Sequence, residues 1–464
     1  MSSKLVALRD WIDARFPLTE MWNEHLAKYY APKNFNFWYF FGSLALLVLV
    51  MQILTGIWLA MYYTPTQAGA FASVEYIMRD VKWGWLIRYM HAVGGSAFFI
   101  IIYLHMFRGL MYGSHKKPRE LLWIIGVAIY VLLMAEAFMG YLLPWGQMSF
   151  WGATVITALI GAIPYIGDPL QTWLRGDFAI SGATLHRFFA WHVVLIPMLL
   201  LVLVVVHILA LHQVGSNNPD GVDIKKHKDD KGVPLDGIPF HPYYTVKDIV
   251  GVGVFLTLFF AVVFFRPDFW GWFLEHTNFV RANPLQTPPE IRPLWYFLPF
   301  YEILRSVPDK LMGVVAIAVS IVVLFFMPWI DHHRVKSQRY RGLMFRLCLI
   351  GFALTFLALG YLGAQSPTPY HSDIGFRFNE LYFSFFILCL IYSKPRSTGY
   401  YIGGAIVAGI VIFVLDWLRV GDIPIRFMAR SWWIPAAYWA FFLLMPAFTR
   451  LGDATPVPER VTFK

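Results

Sequence analysis

His91 and His105 stand fourteen residues apart in one apolar run, and His192 and His207 fifteen apart in another. At helical rise these spacings are about 21 and about 22.5 Å. At 100° per residue they miss whole turns by about −40° and about +60°, so both members of a pair face broadly one way. Ionisable side chains inside a membrane are costly and usually functional. If the two runs are helices pointing the same way, His91 meets His192 at one depth and His105 meets His207 at another. Two opposed imidazoles suit the axial positions of a haem iron, and helix bundles often hold cofactors this way. A single membrane histidine reads equally well as a hydrogen-bonded packing residue. Four in two matched layers make that reading much weaker. Gly42 and Gly56, and Gly126 and Gly140, repeat the fourteen-residue spacing. Glycine admits close approach of a flat macrocycle or of another helix, and simple small-residue packing uses it too.

The elements that carry these residues must be membrane helices. Of 464 residues, 58% are hydrophobic and 14% charged, against roughly 25% charged in ordinary soluble domains. Mean hydropathy is +0.55. That leaves too little charge to cover a water-facing surface of this size, and it excludes disorder. The apolar runs are long and continuous rather than alternating, which excludes a transmembrane barrel. A spanning helix needs about 20 mostly apolar residues. Ten runs qualify: 37–61, 84–112, 120–142, 184–211, 247–265, 311–330, 343–363, 375–393, 400–418 and 432–448. The expected fold is therefore all-α, a polytopic transmembrane helical bundle of about ten spans. Before the first span, Leu5, Leu8, Ile12 and Phe16 fall at helical spacing among charges. They read as a helix lying on the membrane or packed on protein.

The formal charge of +10 is a topology signal. Lys4, Arg9, Arg15, Lys28, Lys33, Lys116, Lys117, Arg119, Lys225, Lys226, Lys228, Lys231, Arg334, Lys336, Arg339, Arg341, Lys394 and Arg396 all fall on one side if the spans alternate. That side is cytoplasmic, and both termini are then inside. No signal peptide and no nucleic-acid partner are expected. Cys348 and Cys389 lie in apolar runs, with no Cys-x-x-Cys-His and too few thiols for an iron–sulfur cluster. Two long loops on the outer side, 143–183 and 266–310, are rich in Trp, Pro and Gly. Long structured loops are often functional.

The strings RYMHAVGGSAFFIIIYLHMFRGLMYGS, GYLLPWGQMSFWGATVI, LHRFFAWH, HILALHQVGSNNP, FHPYYTVKD and PLWYFLPFYEILRSVPDK are jointly very specific. Through them the chain, from about residue 30 to 369, resembles bacterial cytochrome b of the respiratory cytochrome bc complex (ubiquinol–cytochrome c reductase, complex III). The closing AFFLLMPAFTRLGDATPVPERV looks like the family's end. The resemblance implies two non-covalent, bis-histidine b-type haems. His91 and His192 would hold the outer, low-potential haem; His105 and His207 would hold the inner, high-potential one. Arg88 and Arg108 would pair with haem propionates, although Arg108 could instead snorkel to the interface. An outer quinol-oxidation pocket would use Phe138, Gly152, Ile156, Pro293, Leu294, Trp295, Tyr296 and Tyr301. An inner quinone-reduction pocket would use His212, Ser216, Lys247 and Asp248, where a basic and an acidic group beside a histidine can deliver protons.

The implied reaction is bifurcated quinol oxidation. One electron goes to a Rieske iron–sulfur protein and then a c-type cytochrome. The other crosses the membrane to an inner quinone, coupled to proton translocation. A homodimeric complex in the bacterial inner membrane is implied as well. The expected organisation is a cytoplasmic segment 1–36, a four-helix dihaem core with its periplasmic loop 37–246, and the quinol-pocket loop with spans five to seven 247–369. Two additional spans 370–431 and a final span with cytoplasmic tail 432–464 follow.

Three features depart from the family pattern. Leu294 stands where the Pro-Glu-Trp-Tyr motif carries a proton-accepting glutamate, and leucine cannot accept a proton. Glu290 is the first expected substitute, Glu302 the second and Glu136 the third, the last also placed to face a haem. The fifteen-residue histidine spacing is that of the chloroplast-type bf complex, yet no cysteine precedes Cys348. Ten spans exceed the family's eight. Two other classes compete: a transporter with a histidine proton relay, and a dihaem anchor for a soluble dehydrogenase. No repeated broken helices support the first, and the Trp295–Tyr296 loop argues against the second.

Overall fold

The computed structural model describes residues 3–419 and 431–463. Among them nine helices are long and apolar enough to cross a membrane. They are α1 (Phe37–Ala60), α2 (Gly84–Tyr112), α3 (Glu120–Leu142), α4 (Gly182–Val214), α5 (Phe240–Phe265), α6 (Lys310–Ile330), α7 (Leu343–Gly363), α8 (Pro369–Ile391) and α9 (Thr398–Arg419). The expected tenth span is a shorter apolar helix, α10 (Trp433–Phe448). The end of the expected additional-span region, 420–430, lies outside the described residues.

Helix ends follow local chemistry. At the start of α4, Ser181 accepts from the Ala183 amide through its hydroxyl, and Thr184 accepts from the Ser181 amide. This reciprocal cap satisfies two donors that the first turn leaves free. At the end of α2 the chain turns at Gly113 with φ +68°, and a Cβ there would lie 2.6 Å from the Lys336 carbonyl oxygen. Only glycine fits that left-handed, crowded position.

The fourth helix is not uniform. Residues Trp191–Leu195 form a π-helical turn closed by the Ile196 amide on the Trp191 carbonyl. Pro197 follows at once and has no amide to donate. A π turn holds one more residue than an α turn. It absorbs the extra residue between His192 and His207, so fifteen residues in α4 span the phase that fourteen span in α2.

The outer loops fold into helices Gln147–Ile160 and Gly167–Arg175. The segment 275–283 is pinned beside the first of them. The Gln147 amide donates to the Val280 carbonyl at 2.8 Å, and the Ser149 amide donates to Asn278 Oδ1 at 2.9 Å. At the other end of the bundle, two short strands pair antiparallel, β1 (Tyr30–Pro32) with β2 (Gly237–Pro239). Nearby, Lys116 and Arg341 converge on the buried Asp331 at 2.7 and 2.6 Å. The N-terminal helix Ser3–Asp13 forms, with Leu5 and Leu8 exposed.

The helices beyond the eighth are stitched to it by one cation. Arg377, fully buried on α8, donates to Ser431 at 3.1 Å, to Glu380 at 3.2 Å and to Asp416 of α9. A buried guanidinium needs such partners, because an unpaired charge there is prohibitively costly. Cys348 and Cys389 are buried and free.

Candidate functional site

The outer histidines meet as their spacing predicts. The rings of His91 and His192 are 6.1 Å apart, centroid to centroid, with their planes at 89°. The Nδ1 atom of each is already engaged. Thr55 Oγ1 lies 2.9 Å from His91 Nδ1, and the Glu136 carbonyl oxygen lies 3.0 Å from His192 Nδ1. Such outer partners fix the tautomer and leave Nε2 to face a metal. The ring separation fits one metal ion about 2 Å from each of two facing nitrogens. Among the described residues no group of three or more His, Cys, Asp or Glu is placed to hold a bare metal ion. A two-imidazole donor set therefore fits a metal whose remaining ligands come from a macrocycle.

Each glycine of the sequence pattern stands against an imidazole on the neighbouring helix. A Cβ at Gly56 would lie 3.2 Å from His91 Cε1, at Gly42 3.4 Å from His105 Cε1, and at Gly126 3.2 Å from His207 Cε1. At Gly140 it would lie 2.4 Å from His192 Cε1. The glycines thus seat the four imidazole rings. This decides a prediction by clearance. Gly140→Ala should displace the His192 ring and, if that ring ligates a b-type haem, lose most of that haem's reduced-minus-oxidised absorbance. Gly42→Ala should keep nearly all of the inner signal. Equal losses in the two variants would contradict this seating.

The Arg108 guanidinium lies 3.5 Å from His105 Nδ1, 3.4 Å from Ser114 Oγ and over the Tyr39 ring at 4.9 Å, with a buried Nε lacking a partner. An unpaired buried donor beside an imidazole would suit an acidic substituent of a group bound there.

The outer layer opens into a cavity of about 700 Å³, a volume typical of cofactor and ligand sites. His91, His192, Arg88 and Gly140 line it, and so do Leu294, Tyr296 and Glu275. Tyr296 stacks on Phe99 at 3.9 Å, and its carbonyl accepts from Tyr103 at 2.6 Å. Trp295 donates to Ser96 at 3.0 Å. Phe138, Gly152, Ile156, Pro293 and Tyr301 lie outside this cavity's wall. Phe138 packs edge-on to Phe188, and Tyr301 donates to the Ile291 carbonyl. Gly152 opens onto free space, with nothing within 4 Å of a Cβ built there.

The expected proton acceptors are placed otherwise. Glu290 is exposed, bonded to Ser366 and off the cavity wall. Glu302 is fully buried behind the wall, paired with Arg305 and pressed against Gly375 of α8. Burial pushes its carboxyl up to about 7, but it faces another helix. Glu136 lines the cavity with its carboxylate 3.0 Å from His192 Nδ1, so it faces the ligand. Three carboxylates line the cavity with Leu294, Tyr296 and the outer histidines: Glu136, committed to His192, Glu75, paired with Arg79, and Glu275, bonded to Tyr141. Burial pushes Glu275 up to about 7, against the lowering pull of the Tyr141 hydrogen bond and Arg292. Sequence reasoning missed it. The signal was an acid inside the aromatic loop string DFWGWFLEHTNF.

At the inner layer His212 stacks on Tyr29 at 4.6 Å, and Ser216 Oγ lies 2.9 Å from the Tyr29 hydroxyl. Lys247 is exposed and lies over Tyr244 at 5.4 Å. Asp248 follows Lys247 in the first α-helical turn of α5. Tyr29, unread in the sequence, joins this group.

The profile of the family described as "Cytochrome b/b6/petB" matches residues 26–215, and that of "Cytochrome b(C-terminal)/b6/petD" matches 281–383. "Cytochrome b" of Allochromatium vinosum is 57% identical over 406 residues, covering 86% of this chain and 98% of that protein. "Cytochrome b" of Rickettsia prowazekii is 51% identical over 390 residues, 83% of this chain and 95% of that one. A solved structure described as "Hyperthermophilic respiratory Complex III" superposes with a TM-score of 0.77 at 39% identity, covering 82% of this chain and 98% of that one.

Proposed function

The chain belongs to the cytochrome b/b6 family, and from that premise we propose that it is the dihaem subunit of a quinol–cytochrome c oxidoreductase. The coarse frame is a multi-pass membrane protein of a complex III-like respiratory assembly. The observation that carries the finer reading is the His91–His192 pair, 6.1 Å apart with both Nδ1 atoms anchored. His91 and His192 hold the outer haem, and His105 and His207 hold the inner one. Arg88 and Arg108 pair with the acidic substituents. When bound, the two haems supply a one-electron relay across the membrane.

The residues of the chain do the rest. Leu294 and Tyr296 shape the quinol side of the outer cavity, and Phe99 holds the Tyr296 ring in place by stacking. Glu275 takes a quinol proton there as general base, in place of Glu290 or Glu302. Tyr141 orients its carboxylate. A base that titrates near neutrality matches this task. Each quinol oxidised outside releases two protons and two electrons. One electron leaves to a Rieske iron–sulfur partner and onward to a c-type cytochrome subunit. The other is delivered inward to a quinone, where His212, Asp248 and Lys247 supply protons. The assembly is a homodimer in the bacterial inner membrane, with both termini cytoplasmic.

Haem counting tests this reading. The purified complex should carry two b-type haems per chain and reduce cytochrome c from quinol. One haem per chain, or none, would overturn it.

A further inference from the structure

The carboxyl-terminal tail, beyond α10, returns across the face that carries β1 and β2. It passes Gly342, where φ is +85° and a Cβ would lie 2.8 Å from the Asp453 carbonyl oxygen. The Thr455 amide donates to the Tyr340 carbonyl at 2.8 Å. Two buried carboxylates then receive the tail. Arg460 forks onto Asp236 at 2.7 and 2.9 Å, and the Thr462 amide donates to Asp220 at 2.6 Å. Asp220 and Asp236 are each 1% exposed. Bidentate guanidinium–carboxylate pairs fix orientation as well as distance.

Both anchors lead directly to the inner group. Asp236 precedes β2, which pairs with β1, and past the far end of that pair the Phe240 amide donates to the Tyr29 carbonyl at 2.8 Å. Tyr29 is the ring stacked on His212. Asp220 closes the loop that begins at Ser216, the hydroxyl partner of Tyr29. Lys33 also pairs with Asp236, and Arg339, Tyr340 and Asn34 also bond Asp220; the tail is the element that joins both walls, the Tyr29 wall through Asp236 and the Ser216 wall through Asp220.

We propose that residues 455–463 are a strap that positions the inner quinone site by clamping Asp236 and Asp220, and so holds Tyr29 over His212. Arg460 and Thr462 are positioning residues for quinone reduction. This rests on the reading of His212 as part of the inner site, and the experiment separates the two.

In the whole complex, haem reduction by quinol is followed with the outer site blocked by an inhibitor, then with the inner site blocked. The first route reports the inner site and the second the outer. Arg460→Ala combined with Thr462→Pro, which removes the guanidinium fork together with the amide and hydroxyl donors to Asp220, should raise the quinol concentration for half-maximal inner-route rate about tenfold. Haem content and the outer route should stay at the parent level. Arg460→Lys keeps the charge without the fork and should recover part of the loss. An unchanged inner route in the double variant overturns the strap, provided His212→Leu does impair that route. Equal losses of both routes also overturn it, since the tail would then be a general stabiliser. If His212→Leu leaves the inner route intact, the inner-site reading falls and the strap's role falls with it.

Discussion

Replacing His91 by leucine is expected to remove about half of the b-type reduced-minus-oxidised absorbance, and replacing His192 should remove the same half. In the proposed ligation one iron needs both rings, whose centroids lie 6.1 Å apart. Losing either imidazole forfeits the shared group, so His91→Leu/His192→Leu should lose no more than either single variant. His91→Leu/His105→Leu should lose essentially all of the signal, because it breaks both layers. Residues that act as one unit give non-additive losses, and independent sites add. Steady-state reductase activity should be abolished in every case, since the relay is in series. Thr55→Val should be milder, weakening outer haem retention by about 10–100-fold through the loss of the Nδ1 partner. If the losses from His91→Leu and His192→Leu add, the two do not share a cofactor.

The meeting of His91 and His192 was legible because helical geometry converts spacing into depth and direction with few free parameters. The weak point was the fifteen-residue interval in α4. A uniform helix puts His192 and His207 about 100° further apart in relative phase than the α2 pair. The π turn at Trp191–Leu195 removes that mismatch. Pro197 was its visible cause, but a proline alone does not say whether a helix kinks, breaks or widens. The glycines were legible as close-approach sites. What approaches them, an imidazole in each case, depends on interhelical register, which spacing within one helix does not set.

The loops were the least legible part. Glu290, Glu302 and Glu275 all lie in the outer loop region or its short helix, and composition does not rank them. Glu290 is nearest in sequence to Leu294 yet ends up exposed. Glu302 is buried, but the first turns of its helix aim it at Gly375. Glu275 lies nineteen residues before Leu294 and reaches the cavity because hydrogen bonds from Gln147 and Ser149 pull its segment inward. Those bonds are long-range and leave no periodic trace in the sequence. The same holds for Tyr29, brought to His212 by the β1–β2 pair.

Glu275→Gln should lower quinol oxidation at the outer site by about 10²-fold, the usual contribution of a positioned general base, with both haems retained. The pH dependence supplies the sign. Only the ionised carboxylate accepts a proton, and burial brings this group up to about 7. The parent rate should therefore climb as pH rises through about 7 and level off above it. Glu275→Gln should lose that limb and leave a flat, low profile. Tyr141 donates to the carboxylate, which favours the ionised form. Tyr141→Phe should then raise the Glu275 value further and move the limb to higher pH, while leaving the plateau largely intact. Glu290→Gln should match the parent at all pH values, because its carboxyl is off the cavity wall. Glu302→Gln should destabilise the complex by unpairing Arg305, without moving the limb. Leu294 lines the same cavity as Glu275, so Leu294→Glu in the Glu275→Gln background should restore a pH-dependent rate. A limb that persists in Glu275→Gln and disappears in Glu290→Gln would return the role to the acid nearest Leu294 in sequence.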